Sequence, residues 1–390
     1  MMMKKYLVTV GLLSALLFGA CGLVNYLVDP FQLYHFNIGD ADTLGRVEQF
    51  ENMRFYKPQH VRRVKPEALV IGSSRSGGLQ PEQPSWQGLA SYNFSVPGIT
   101  AYEMLRSVQH ANAIKPLSRL AIGIDFEEFI KPYDRFRPGF AEARMLRSPK
   151  ERYSPGYWMQ RFSDIRISLF SFDVLMQSIE AVVERAPKIR RYFSNGAWEP
   201  VSRKLTGRGG YVFTGRNMLI LNEKGGLNPQ KNLQQLRKLL RFCYRNNIET
   251  RLFFTPTHAF LVDFWYRQGH RSMWQDLRRQ VLQINIETAK EFGRSPFDLV
   301  GFDQLSGIVD EPIYRARDID KAWFSDGVHF RPRLSQLIMA SLWDGDSDFG
   351  RRLSAENIEV YLQEVDELRE SFVHSNGDML EDVHSRISPK

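Results

Sequence analysis

Ala68-Leu69-Val70-Ile71-Gly72-Ser73-Ser74-Arg75 is a short apolar run that ends on glycine and two hydroxyl side chains. Four apolar residues closed by a breaker read as a buried strand. Glycine then allows a tight turn, which would present a serine hydroxyl at the edge of a sheet. On its own, a serine here also reads as a polar helix cap.

The same rhythm recurs on the C-terminal side. A second strand is expected over Ala90 to Phe94, stopped by Pro97-Gly98, and Thr100 is placed to cap a helix carrying Tyr102, Leu105, Val108 and Ala111. Leu120 to Ile124 gives a third strand. The pattern resumes with a helix from about Pro229 to Asn246, a strand over Thr250 to Phe254, a helix from about Arg271 to Phe292 and a weak strand near Phe297 to Val300. Strands separated by helices at this spacing predict an α/β fold with a mainly parallel sheet covered on both faces. In such sheets, sites lie at the carboxyl ends of the strands.

Residues 131–228 break the rhythm and read as a basic insertion or lid. This stretch predicts one amphipathic helix over Ile165 to Val183, and a turn at Gly207-Arg208-Gly209-Gly210, which lacks the marks of a phosphate loop. Between Lys131 and Gln230, 18 Lys and Arg stand against 9 Asp and Glu; the whole chain of 390 residues carries a net +8. Such a region suits anionic headgroups or an acidic polysaccharide, or is simply a solvated surface. Residues 29–60 read as a juxtamembrane connector. A helix follows over Leu334 to Trp343, then a mostly polar helix over 351–371 within a C-terminal segment 346–390 that ends in a frayed tail.

Lys4 and Lys5 precede an apolar run from Tyr6 to Val28 that only Asn25 interrupts. A helix of that length spans roughly 34 Å, enough for a bilayer core of about 30 Å. The basic flank would stay in the cytoplasm, so 1–28 reads as a signal anchor with the rest of the chain outside. A lipoprotein signal ending at Cys21 and a cleaved signal are the competing readings. That address, and the lack of any matching motif, argue against nucleic acid as a partner. Of the two cysteines, Cys243 falls on the apolar face of a helical pattern and reads as a small buried hydrophobe.

Near the end of the α/β pattern stands Asp326-Gly327-Val328-His329. Serine becomes a competent nucleophile when an imidazole takes its proton, and the imidazole needs a carboxylate on its other nitrogen. Asp326 is close enough in sequence to supply that contact to His329, leaving Ser74 as nucleophile. Gly98, and the block Gly123-Ile124-Asp125, fall after strands two and three and are candidate oxyanion donors beside Ser74. His258, after Phe254-Thr255-Pro256-Thr257, is a second histidine at a strand end, a candidate for substrate contact or a rival base. Arg75 is placed either to bind an anionic group or to form a structural ion pair. No cluster of Cys and His with metal-ligand spacing is visible, and the chemistry calls for no cofactor.

Taken in order, Ser74, Gly98, Gly123 to Asp125, and Asp326 with His329 resemble the four blocks of the SGNH (GDSL-like) hydrolase superfamily. The Gly-Ser-Ser turn and the apolar N-terminus are similar to the branch containing the D-alanine transfer proteins of teichoic acid, and the alginate O-acetylation proteins are a second likeness. The resemblance covers 61–130 and 229–345. It implies an SGNH-like three-layer fold and a membrane-anchored serine O-acyltransferase or carbohydrate esterase. The domain would face the periplasm or exterior of a bacterial cytoplasmic membrane and act on a cell-envelope polysaccharide. It also implies a multispanning membrane O-acyltransferase as the source of the acyl group. The family's third block carries an asparagine where this chain has Asp125, and an ionised carboxylate repels an oxyanion. A catalytically silent SGNH fold that binds glycan or scaffolds an envelope complex is therefore the alternative.

Overall fold

The computed structural model describes residues 2–34, 47–131, 136–184, 187, 189–202, 206–223, 226–344 and 349–387. Its centre is a six-stranded sheet. The strands are β1 (Ala68–Ile71), β2 (Ser91–Asn93), β3 (Arg119–Ile124), β6 (Glu249–Phe254), β7 (Asp298–Gly301) and β8 (Arg351–Arg352), ordered β2-β1-β3-β6-β7-β8. The first five run parallel and β8 closes the edge antiparallel to β7. A separate antiparallel ribbon pairs β4 (Arg190–Tyr192) with β5 (Trp198–Pro200).

Alternation along the strands sorts side chains onto two faces. Leu69, Ile71, Leu120, Ile122, Leu252 and Leu299 face one core, and Ala68, Val70, Ala121, Phe253 and Val300 face the other. The first core is covered by α2 (Met53–Val64), α3 (Ala101–Ile114), α8 (Gln230–Arg245), α9 (Ala259–Arg267), α10 (Arg271–Glu291) and α12 (Ile358–Ser375). The second is covered by α11 (Pro332–Trp343), through Leu334, Ile338 and Leu342, together with Leu79 and Trp86. The remaining helices are α1 (Met2–Val28), α4 (Phe126–Ile130), α5 (Tyr157–Phe170), α6 (Phe172–Val183), α7 (Gly207–Glu223) and α13 (Gly377–Ile387).

The five parallel strands and most helices fall where the sequence places them, whereas β4, β5 and β8 are not anticipated by it. Thr100 caps α3 in a reciprocal box with Glu103, whose N–H donates to Thr100 Oγ1 at 3.2 Å. Cys243 is fully buried, and burial pushes its thiol up to about 12. Five expectations change. The helix expected over 351–371 begins only at Ile358, because Arg351–Arg352 pair with β7 as β8. The single helix over Ile165 to Val183 is two helices, because the chain turns at Ser171 between Phe170 and Phe172. The Gly207–Gly210 cluster opens α7 rather than forming a turn. The connector 29–60 contains the start of α2, while its residues 35–46 lie outside the described residues. The tail folds as α13 to Ile387, its Leu380, Val383 and Ile387 buried against the core. The N-terminal α1 is long and apolar enough to cross a membrane, and most of its surface is exposed.

Candidate active site

Ser74 is the first residue of a 3-10 turn, Ser74–Gly78, directly beyond β1. Several close approaches hold this turn. Ser73 Oγ accepts from the Arg75 N–H at 3.2 Å. Ser76 packs where a Cβ on Gly72 or on Gly123 would stand, so both glycines are there for close approach rather than for unusual torsions. From β2, the Asn93 amide donates to Ser76 O at 2.9 Å and Leu79 O at 2.8 Å, satisfying carbonyls that the turn leaves free.

Asp326 and His329 lie on a closed loop. Phe324 bridges Phe330, and the Ser325 N–H donates to His329 O at 2.7 Å. Asp326 Oδ1 accepts from the N–H groups of Val328 (2.8 Å) and His329 (2.7 Å), which fixes the carboxylate against its own turn. Its Oδ2 is 2.8 Å from His329 Nδ1, and His329 Nε2 is 3.0 Å from Ser74 Oγ. A carboxylate on Nδ1 selects the tautomer protonated there, so the Nε2 lone pair faces the serine hydroxyl. Burial raises the Asp326 carboxyl, but His329 and the two backbone N–H groups outweigh it and hold it below its ordinary value.

Ser74, Asp326 and His329 line a cavity of about 280 Å³. Much of its wall comes from the 131–228 stretch: Arg190 of β4, Trp198 and Pro200 of β5, and Phe213, Asn217 and Met218 of α7. The Trp198 ring lies 5.8 Å from the His329 ring, centroid to centroid, and its indole fills the space beside Gly77. Glu127 and Glu128 of α4 also line it, and their carboxylates are ion-paired to Arg75 and Lys131.

The other expected site residues are placed elsewhere. His258 is fully buried and caps α9. Its Nδ1 accepts from the Phe260 N–H at 3.1 Å and its Nε2 lies 2.9 Å from Glu311 O. Burial lowers it to about 3, so it stands neutral among the rings of Tyr211, Phe324 and Phe372 and does not reach the cavity. Arg75 borders the cavity but is committed to Glu127 (2.9 Å), Pro256 O (3.0 Å) and Thr257 Oγ1 (2.9 Å), which is the structural ion pair rather than an anion site. Asp125 is buried and does not line the cavity. Its Oδ1 bonds the Thr255 hydroxyl and lies 3.8 Å from Arg75 Nε, and burial pushes its carboxyl up. Gly98 is also outside the cavity lining, with the Arg137 side chain over its α-carbon. Of the three expected oxyanion donors, only Ser74 lines the cavity.

Sequence reasoning passed over Asn93, Lys57 and Trp198. Asn93 carried a faint signal, a polar residue at the inner end of a strand. Lys57, whose Nζ donates to Asn93 O, Ser95 O and Gly196 O, and Trp198 carried none, since each reaches this region only through tertiary packing. Among the described residues, no group of three or more His, Cys, Asp and Glu is arranged to hold a metal ion. The chain matches no protein-family model and no curated protein sequence.

Proposed function

We propose that this protein is a membrane-anchored, extracytoplasmic serine acyltransferase or carbohydrate esterase of the SGNH type, acting on a cell-envelope polysaccharide. The observation that carries this reading is the continuous hydrogen-bond chain Ser74–His329–Asp326 opening on a cavity. Its support for the anchor is α1, and its support for the SGNH type is the order of the blocks along the sequence.

In the proposed reaction, Ser74 Oγ attacks the acyl carbonyl while His329 Nε2 takes its proton, and Asp326 stabilises the imidazolium. The bond between the acyl carbon and the donor's alcohol oxygen then breaks, His329 gives the proton to the departing alcohol, and an acyl-serine remains. A glycan hydroxyl, or water in the esterase direction, attacks that ester as His329 takes its proton; the acyl–Oγ bond breaks and His329 returns the proton to Ser74 Oγ. The apolar lining residues Trp198, Phe213 and Met218 suit an acyl chain. A multispanning membrane O-acyltransferase would deliver the acyl group from the cytoplasmic side.

Ser74→Ala in cells should abolish acylation of the envelope glycan in the transferase direction, or raise it in the esterase direction. An unchanged acylation level would contradict both. A second reading, a catalytically silent glycan-binding scaffold, is favoured by the placement of Asp125 and Gly98 outside the cavity lining. Under that reading Ser74→Ala leaves the cellular phenotype intact.

A further inference from the structure

The α5–α6 pair carries a largely exposed apolar surface. On α6, Phe172, Met176, Ile179 and Val183 recur at helical spacing and are 69%, 49%, 45% and 67% exposed. On α5, Trp158, Met159 and Phe162 are 60%, 79% and 71% exposed. A soluble surface rarely holds so many large apolar side chains together.

What lies beside this surface identifies its occupant. The turn between the two helices is locked to α1: Asn25 Nδ2 donates to Leu169 O (2.8 Å) and Ser171 O (3.3 Å), and Ser178 Oγ donates to Asn25 Oδ1 (2.9 Å). Phe170 packs on Gly22, leaving no room for a Cβ there. Asn25, the one amide in the apolar run, is thus fully engaged by the hairpin, which explains how it is accommodated in a spanning segment. Along α6 the faces are distinct. Val174, Ser178 and Ala181 are buried, with Ala181 packing beside Val28, and Asp173, Gln177, Glu180 and Glu184 form a separate polar stripe.

Height follows from α1. Asn25 and Gly22, which meet the turn, lie three and six residues before Val28, where the apolar run ends, so at 1.5 Å per residue the turn sits about 5–9 Å below that end. That matches the roughly 5–10 Å to which interfacial amphipathic helices bury their apolar faces. We propose that the α5–α6 hairpin is a second membrane element, seated in the outer boundary of the bilayer beside α1, with lipid acyl chains covering Phe172, Met176, Ile179 and Val183. The inference rests on α1 crossing the membrane, as proposed above. Because α6 leads into the ribbon that carries Arg190 and Trp198 to the cavity, this seating would hold the site near the bilayer surface.

The test uses the full chain in phospholipid vesicles, with Cys21 replaced by Ala so that one introduced cysteine carries an environment-sensitive fluorophore. Labels go at Met176→Cys and Ile179→Cys on the hairpin, Leu12→Cys on α1 and Gln363→Cys on α12, an exposed position distant in sequence. Hairpin and α1 labels should both be blue-shifted, quenched by nitroxide-bearing phospholipid and shielded from iodide, with Gln363→Cys behaving oppositely. Iodide-accessible hairpin labels beside a lipid-quenched Leu12→Cys label would overturn the hairpin proposal alone. An iodide-accessible Leu12→Cys label would instead remove the anchor beneath it. Hairpin labels that escape lipid quenching until the protein is diluted in excess lipid would point to a second copy of the chain and also overturn it.

Discussion

Asp326 accepts three hydrogen bonds with two oxygens, and this fixes which nitrogen of His329 faces Ser74. Asp326→Asn should keep the fold, since an amide oxygen can still accept from the loop N–H groups. It would favour the wrong imidazole tautomer, and turnover is expected to fall about ten-thousandfold, read as kcat on an activated ester. His258 belongs to stability instead. Its folded-state value, about 3, lies below the ordinary 6.5. The unfolded chain therefore binds the extra proton between those two values, and the stabilisation present above pH 6.5 is lost as pH falls toward 3. His110, lowered by burial to about 4, acts in the same direction, while Glu311, raised by burial to about 7, opposes it. The informative comparison is thus between variants. His258→Asn should flatten the acid limb of a Tm-against-pH curve relative to the wild type, and an unchanged slope would contradict this assignment.

At the scale of elements, Lys57 joins three pieces that are far apart in sequence. Its Nζ donates to Asn93 O (2.9 Å), Ser95 O (2.7 Å) and Gly196 O (2.8 Å), tying α2 to the end of β2 and to the β4–β5 turn. Burial pushes its pKa well down, yet three carbonyl acceptors are satisfied only by the three N–H bonds of the protonated form. Lys57→Met should leave these carbonyls without a donor and cost about 2–4 kcal/mol in denaturant unfolding. It should also loosen the ribbon that carries Trp198, so KM for an acyl substrate should rise. The sequence made the parallel strands legible because they centre on short apolar runs between breakers, as Ala68–Ile71 shows, while β4, β5 and β8 carry no such run. It hid the break at Ser171, because apolar residues continue through the turn on both sides, and it hid α7, because three glycines in four residues argue against a helix.

For the whole molecule, the catalytic candidates sit where an α/β sheet gathers loops, although Ser74 and His329 are 255 positions apart in the chain. That pairing was legible because each half has a local reason to exist: a glycine-assisted turn after a strand, and a carboxylate three residues before an imidazole. The cavity wall was not legible, since Trp198 and Phe213 approach Ser74 only once the 131–228 stretch folds over the strand ends. Nor did the sequence reveal that Asp125 meets Thr255 and Arg75 outside the cavity lining. The most direct test of the account treats the purified full-length protein with a fluorophosphonate probe, beside Ser74→Ala and a thermal melt of each. The account predicts labelling of the wild type that is lost in the folded Ser74→Ala protein. A folded wild type that takes up no probe, or a Ser74→Ala protein that labels equally, would contradict it.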